Sequence, residues 1–331
     1  MSEKKIMLEC KNLKKYFDTP RGKLHAVDDV SFQIEAGQTL GVVGESGCGK
    51  STLGRTILKL LPSTSGEVIF DGKSITQTQP KDMLPLRQQM QIVFQDPFSS
   101  LDPKMTVSQI IEEPLIIHKL YKDKNERSKR VIELMGIVGL DERYVNTYPH
   151  ELDGGRRQRI GIARAIALNP KFIICDEPVS ALDVSIQAQI LNLMMDLKDE
   201  LGLTYIFITH DLSVVKHISD RILVLYLGKM VELTTSDRLF ENPLHPYTKA
   251  LLSAIPVPDI SYKGKEAEVM KGEVSSPIEP PEGCRFAKRC PNAKDRCFNE
   301  TPDFVEVEKD HFVACHTDFS SNKERGELWG S

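Results

Sequence analysis

The chain has 331 residues, with 43 Lys and Arg against 47 Asp and Glu, and its formal charge of −4 leaves no net basic excess for coating nucleic acid. Hydrophobic residues make up 40% and charged residues 27%, an ordinary globular balance, and the length suggests about two domains at roughly 150 residues each. No apolar run approaches the roughly 18 to 20 residues that a membrane-spanning helix needs. Met1–Lys5 has no apolar core behind it and so is not a secretory signal. The chain is expected to stay in the cytosol and to form no pore itself.

Val27–Ile34 alternates apolar and polar residues, and Ala36-Gly37 turns the chain. Thr39–Val43 is a short apolar run of the kind that forms a buried parallel strand. It leads into a glycine-rich loop, Gly44–Gly49, and a helix from about Ser51 to Leu61 closed by Pro62. Asp71-Gly72, between β-prone runs in Glu67–Ile75, signals a hairpin. From about residue 97 to 160, periodic apolar residues such as Ile110, Ile111, Leu115, Val131, Leu134 and Met135 predict a set of helices. Beyond Pro170, the apolar strands Phe172–Cys175 and Tyr205–Ile208 flank a helix over about Ile186–Glu200. That βαβ alternation places the chain in the α/β class on a parallel sheet. Ile222–Glu232 reads as two short strands around Gly228. From Ser236 onward Pro and polar residues increase, Pro277–Gly283 reads as a connector, and Ser320–Ser331 as a frayed end.

Gly44-Glu45-Ser46-Gly47-Cys48-Gly49-Lys50-Ser51 fits the phosphate-loop pattern between a strand and a helix. Its glycines let backbone N–H groups curl around phosphate oxygens at a helix N-terminus. Lys50 is placed for the β- and γ-phosphates and the Ser51 hydroxyl for Mg²⁺. The strand Phe172–Cys175 ends in Asp176-Glu177, the first suited to the Mg²⁺ shell and the second to a general base acting on water. His210 follows another strand, at an end where ligands gather in open α/β sheets.

With these residues in place, the chain resembles the nucleotide-binding subunit of an ATP-binding-cassette transporter over about residues 6 to 255. The resemblance implies a phosphate-loop ATPase core with a parallel sheet, an antiparallel β subdomain and a helical subdomain, here about 97–160. It makes Gln95, in Val93-Phe94-Gln95-Asp96-Pro97, the Q-loop residue and a Mg²⁺ ligand. Asp183, in Ser180-Ala181-Leu182-Asp183, becomes the D-loop residue, His210 the switch histidine, and Tyr16 the aromatic that stacks on adenine. Gly44–Lys50 with Ser51 and Thr52 completes the ATP-binding set. The loop sequence and Asn242–Leu252 are similar to the oligopeptide/dipeptide importer branch. That branch implies a second, different ATPase subunit, two membrane permease subunits, an extracellular solute-binding protein and a peripheral place on the cytoplasmic face of the membrane. The alternatives are a soluble ATPase of the same family acting on ribosomes or DNA, or an importer of oligosaccharides or nickel complexes.

Two features depart from or add to the pattern. The family signature Leu-Ser-Gly-Gly-Gln, which closes over the partner subunit's γ-phosphate, is here Leu152-Asp153-Gly154-Gly155-Arg156. Asp153 caps a helix as well as Ser does, but an ionised carboxylate donates no hydrogen bond and sets a negative charge beside phosphate. The expectation is an asymmetric pair in which the site completed by Asp153 is slow. The alternative is that Arg156 or Arg157 offsets the charge. Residues 256–331 form an expected C-terminal extension with four cysteines, Cys284, Cys290, Cys297 and Cys315. Four thiolates hold Zn²⁺ or an iron–sulfur cluster, and merely buried thiols are the plainer reading. The resemblance favours a 4Fe–4S cluster.

Overall fold

The computed structural model describes residues 5–254 and 275–319. The expected domain boundary at 255–256 and the frayed end at 320–331 lie outside them. The chain divides into two compact units that alternate along the sequence. One comprises Met1–Glu9, Gln33–Thr39 and Ile69–Ile208, the other Cys10–Phe32, Leu40–Val68 and Thr209–Ser331.

In the first unit the strands Met90–Val93, Phe172–Asp176 and Thr204–Ile208 run parallel, with Val93 opposite Cys175 and Cys175 opposite Phe207. Every residue of the latter two strands is buried, their apolar runs Phe172–Cys175 and Tyr205–Ile208 together with Asp176 and Thr204 at the ends. The helical stretch is present as read. Thr106 and Gln109 form a capping box that starts the helix Val107–Ile117, which buries Val107, Ile110, Ile111 and Leu115. Lys124–Ile137 buries Val131, Leu134 and Met135, and the helices Gly154–Ile166 and Val184–Leu201 follow. The hairpin forms with Phe70 opposite Lys73, because Asp71 and Gly72 take φ of 48° and 76°.

The second unit is built on the strand Thr39–Val43, which pairs in parallel with Arg221–Tyr226, Leu40 facing Arg221. Arg221–Tyr226 turns through Leu227-Gly228 into the antiparallel strand Lys229–Thr235, whose other edge takes His311–Ala314. Phe304–Glu308 lies outermost. The region beyond Ser236 holds more structure than its Pro and polar content suggests. It contains the helices Ser236–Glu241 and Pro246–Ser253 and these two strands, each too short to show a period, with Pro246 at the first helical turn where proline is favourable. Nor is Pro277–Gly283 a free connector. Ile278 bridges Leu24, and the Pro277 carbonyl accepts from the His25 N–H at 3.0 Å. The helix Lys50–Ile57 ends short of Leu61 because Lys59 takes a left-handed φ of 54°.

A buried cluster centred on Val43, Val224, Tyr226, Val231, Tyr247 and Phe286 fills this unit. Beside it the Glu232 carboxyl group, fully buried, accepts from the backbone N–H groups of Leu244 at 2.8 Å and His245 at 3.0 Å. The His311 ring, equally buried, supplies a third donor at 2.7 Å. His245 Nδ1 in turn accepts from the Tyr247 N–H at 3.1 Å, which caps the helix Pro246–Ser253. Burial pushes the His245 pKa down to about 4, against the pull of nearby Glu232. Below pH 6.5 the unfolded chain therefore takes up a proton that the folded chain refuses. Stability from this group is complete above about pH 6.5 and falls as the pH drops toward 4, by about 2 kcal/mol at pH 5. His245→Asn, which keeps an acceptor for the Tyr247 N–H, is expected to reduce the stability loss between pH 7 and pH 5 by about that amount. Chemical denaturation of both proteins at the two pH values checks this.

Candidate functional site

Thr39–Val43 delivers the chain to the loop Gly44–Gly49, and backbone crowding dictates its glycines. Gly44 takes a φ of 151°, and a Cβ there would lie 2.2 Å from the Leu225 carbonyl oxygen. Gly49 takes a φ of 103°, and a Cβ there would lie 1.9 Å from the Ala26 carbonyl oxygen. No side chain fits at either place, so the loop is a bare backbone cradle leading into the helix Lys50–Ile57. Lys50 is buried, and its ammonium is held at 2.8 Å from the Gly44 carbonyl and 3.1 Å from that of Glu45. Ser51 and Thr52 lie in the first turn of the helix, while Ser46 and Gly47 form the exposed rim of the loop. Cys48 is buried, and burial raises its thiol pKa, so it serves as a small apolar filler.

Two further residues of this unit contact the loop. The Glu45 N–H donates to Tyr247 Oη at 2.8 Å, and Arg289 grips the Glu45 carboxylate with two hydrogen bonds of 2.8 and 2.9 Å. The Tyr16 hydroxyl donates to Asp28 at 2.5 Å, and the Tyr16 ring stacks on His25 with centroids 3.9 Å apart. Burial, then the bond to Asp28, pushes the Tyr16 phenol pKa well upward. Burial opposes ionisation of Asp28, but the Tyr16 hydrogen bond, Lys229 and Arg285 hold it below the usual carboxylate range. Sequence reading missed Tyr247, Asp28 and Arg289, because only their contacts give them a role. His210 lies exposed beyond Thr209, whose N–H bonds the Val42 carbonyl at 3.2 Å.

The first unit gathers the carboxylates. Val93 and Cys175 are partners in the parallel ladder, so Gln95 and Glu177, two residues beyond each, emerge side by side. Gln95 Nε2 donates to Glu177 Oε2 at 2.9 Å. Glu177 takes a left-handed φ of 48°, unusual for a non-glycine residue and typical of functional positions, and its N–H bonds the Ile208 carbonyl at 2.9 Å. Asp176 is buried at the strand end. Asp183 caps the helix Val184–Leu201 by accepting from the Ile186 N–H at 3.0 Å. That bond, together with Ser185, lowers its pKa. In the same way Asp153 caps Gly154–Ile166 by accepting from the Arg156 N–H at 2.8 Å, and the Arg156 side chain pairs with the same carboxylate. A Cβ at Gly155 would lie 2.7 Å from the Ile186 Cγ2 methyl, so a larger residue there would force Ile186 to move. Arg157 turns away to the Pro149 carbonyl at 2.5 Å and lies over the Phe98 ring. Of the two arginines, Arg156 is therefore the one paired with Asp153.

A hydroxyl from Ser51, a carboxylate from Asp176 and an amide oxygen from Gln95 are all hard oxygen donors, the set that suits Mg²⁺. The cysteine expectation fares differently. Among the described residues no group of three or more His, Cys, Asp or Glu side chains is arranged to hold a metal ion. Cys284, Cys290, Cys297 and Cys315 are free thiols, and Cys284 and Cys290 pack against the apolar cluster. Burial pushes the Cys284 thiol up to about 11 and raises that of Cys290. The expected 4Fe–4S cluster, or Zn²⁺ in its place, is not supported by this geometry.

A family profile described as ABC transporter matches residues 27–180, and one described as the oligopeptide/dipeptide transporter C-terminal region matches residues 231–297. The chain is 55% identical over 316 residues to the oligopeptide transport ATP-binding protein OppF of Bacillus subtilis, covering 95% of this chain and 97% of that protein. It is 50% identical to the OppF of Escherichia coli over 95% of this chain and 94% of that one. Among solved structures, it resembles the dimeric bacterial ABC transporter cassette MJ0796, with a TM-score of 0.64 and 32% identity over 70% of this chain and 99% of that one. Gly49→Ala tests the loop. Because the new Cβ meets backbone at 1.9 Å, the loop must shift, and ATP affinity is expected to fall at least about tenfold together with a loss of stability, measurable by calorimetric titration beside thermal melting.

Proposed function

The chain belongs to the ATP-binding subunits of ABC transporters, in the oligopeptide-transport branch, and on that premise we propose that it hydrolyses ATP to power the import of peptides. The observation that carries the chemistry is the Gln95–Glu177 hydrogen bond at 2.9 Å, which orients a carboxylate at a strand end. The backbone of Gly44–Gly49 and the ammonium of Lys50 cradle the β- and γ-phosphates, and Tyr16 stacks on adenine. Mg²⁺, when bound, neutralises charge developing on the phosphates, and Ser51, Asp176 and Gln95 would hold it. Glu177 accepts a proton from the attacking water as the new bond to the γ-phosphorus forms and the bond to the β-γ bridging oxygen breaks. Gln95 steers the Glu177 carboxylate, and His210 positions the γ-phosphate.

Import requires partners, and no described helix is long and apolar enough to cross a membrane. This subunit works beneath two membrane permease subunits on the cytoplasmic face, supplied with solute by an extracellular binding protein. ATP closes it onto a second cassette, and hydrolysis reopens the pair. Dimeric structures of a 32% identical cassette, one of them bound to ADP and Pi, support pairing. The partner in this reading is a second, different ATPase subunit, and Asp153 and Arg156 would act on its nucleotide. The division into an ATP-binding domain over 1–255 and an extension over 256–331 belongs to the same reading. Action on ribosomes or DNA, or import of oligosaccharides or nickel complexes, gains no support from the relatives.

Glu177→Gln is expected to lower ATP turnover by about 10²- to 10⁴-fold with ATP still bound, and Lys50→Ala to abolish binding. Parent-like turnover of Glu177→Gln in a phosphate-release assay would overturn the mechanism. For the signature, Arg156→Gln alone leaves Asp153 uncompensated and is expected to slow the assembled transporter about tenfold or more. Adding Asp153→Ser is expected to restore turnover to within about threefold, since the charge is then gone.

A further inference from the structure

Two arginines of the C-terminal segment reach the nucleotide-binding residues of their own unit from behind. They belong to Cys284–Cys290, whose centre is the short 3₁₀ turn Ala287–Arg289. Phe286, 1% exposed, anchors the segment by packing against Tyr226 and Tyr247 with ring centroids 5.3 and 5.4 Å away. On one side of that anchor Arg289, its side chain 6% exposed, makes the two-pronged bond to Glu45 in the phosphate loop and a third bond to Tyr226 Oη at 3.3 Å. On the other side Arg285, its side chain 8% exposed, donates to the Asp28 carboxylate and the Leu227 carbonyl. Asp28 is the group that receives the Tyr16 hydroxyl.

A buried guanidinium is costly unless a carboxylate answers it, and the planar fork of arginine matches a carboxylate at two points. Here the answering carboxylates stand at the phosphate loop and beside the adenine-stacking ring. A bare carboxylate at Glu45 would repel a triphosphate cradled by the same loop. Paired with Arg289, it adds no net negative charge and fixes the loop's second residue, whose N–H is already tied to Tyr247.

We propose that Cys284–Cys290 is a positioning element of the nucleotide site: Arg289 neutralises and fixes Glu45 so that the loop accepts a triphosphate, while Arg285 acts through Asp28 to hold Tyr16 for adenine. The proposal rests on the ATP-binding reading above, and it gives the two arginines separable roles at the phosphate end and the base end.

The test measures the affinity of the full-length chain for ATP and for inorganic tripolyphosphate, with folding followed by circular dichroism. Arg289→Gln is expected to weaken both ligands about tenfold or more, and Glu45→Gln added to it is expected to bring both back to within about threefold of the parent. Arg285→Gln is expected to weaken ATP by about tenfold while leaving tripolyphosphate unchanged. A role limited to stability would weaken both ligands in both variants without rescue by Glu45→Gln, and that outcome overturns the proposal. So does parent-like ATP binding by Arg289→Gln. Should Arg289→Gln fail to fold, Arg289→Lys carries the test: it keeps the charge without the fork, with a loss of about threefold that Glu45→Gln again removes. Lys50→Ala separates the two levels, because parent-like ATP binding there would defeat the ATP reading itself.

Discussion

A carboxyl group sealed from water stands only if donors surround it, and Glu232 meets that demand with groups drawn from distant parts of the chain. The backbone at Leu244 and His245 supplies two donors and the ring of His311 a third. This one requirement fixes several things at once. It sets where the helix Pro246–Ser253 begins, and it anchors the strand His311–Ala314 against Lys229–Thr235. It also presents Tyr247, the second residue of that helix, to the N–H of Glu45. The phosphate loop is thus braced by a polar centre that touches no phosphate.

Charge neutrality beside phosphate is the second organising constraint. The chain carries a carboxylate at two positions expected to face phosphate, Glu45 in its own loop and Asp153 in the signature, and each is matched by an arginine. The two pairs differ in setting. Asp153 and Arg156 are about half exposed, and water screens such pairs to a small net worth, so their effect is one of local charge rather than stability. Glu45 and Arg289 are largely withdrawn from solvent, so geometry and charge are both held there.

Much of the site was legible because its logic is local. A strand, a glycine-rich turn and a helix start are neighbours in sequence, and the crowding at Gly44 and Gly49 shows why those positions admit nothing larger. Glu177 was found at its strand end and Gln95 through the family resemblance, and the ladder register then explains their meeting. The braces were not legible, because Tyr247, Asp28 and Arg289 look ordinary until the residues they touch, as many as 257 positions away, are known. The cysteines meet the same limit. Their number and the family resemblance suggested ligands, yet sequence says nothing of where each sulfur points, and two of them settle against the apolar cluster. The short helices and strands after Ser236 escaped notice because their packing, rather than their periodicity, holds them.

The alternation of the two units along the chain also bears on how the protein is made. The strand that delivers the phosphate loop meets its parallel partner about 180 residues later, a separation that makes the pairing slow to nucleate. At ribosomal rates of about 5–20 residues per second, roughly ten to forty seconds pass between the emergence of the two strands. Throughout that interval Thr39–Val43 is an apolar segment with an open edge on a nascent chain. Biosynthesis of this subunit therefore passes through a window in which chaperone capture or strand-edge aggregation competes with folding, and that window closes only when the distal strands arrive.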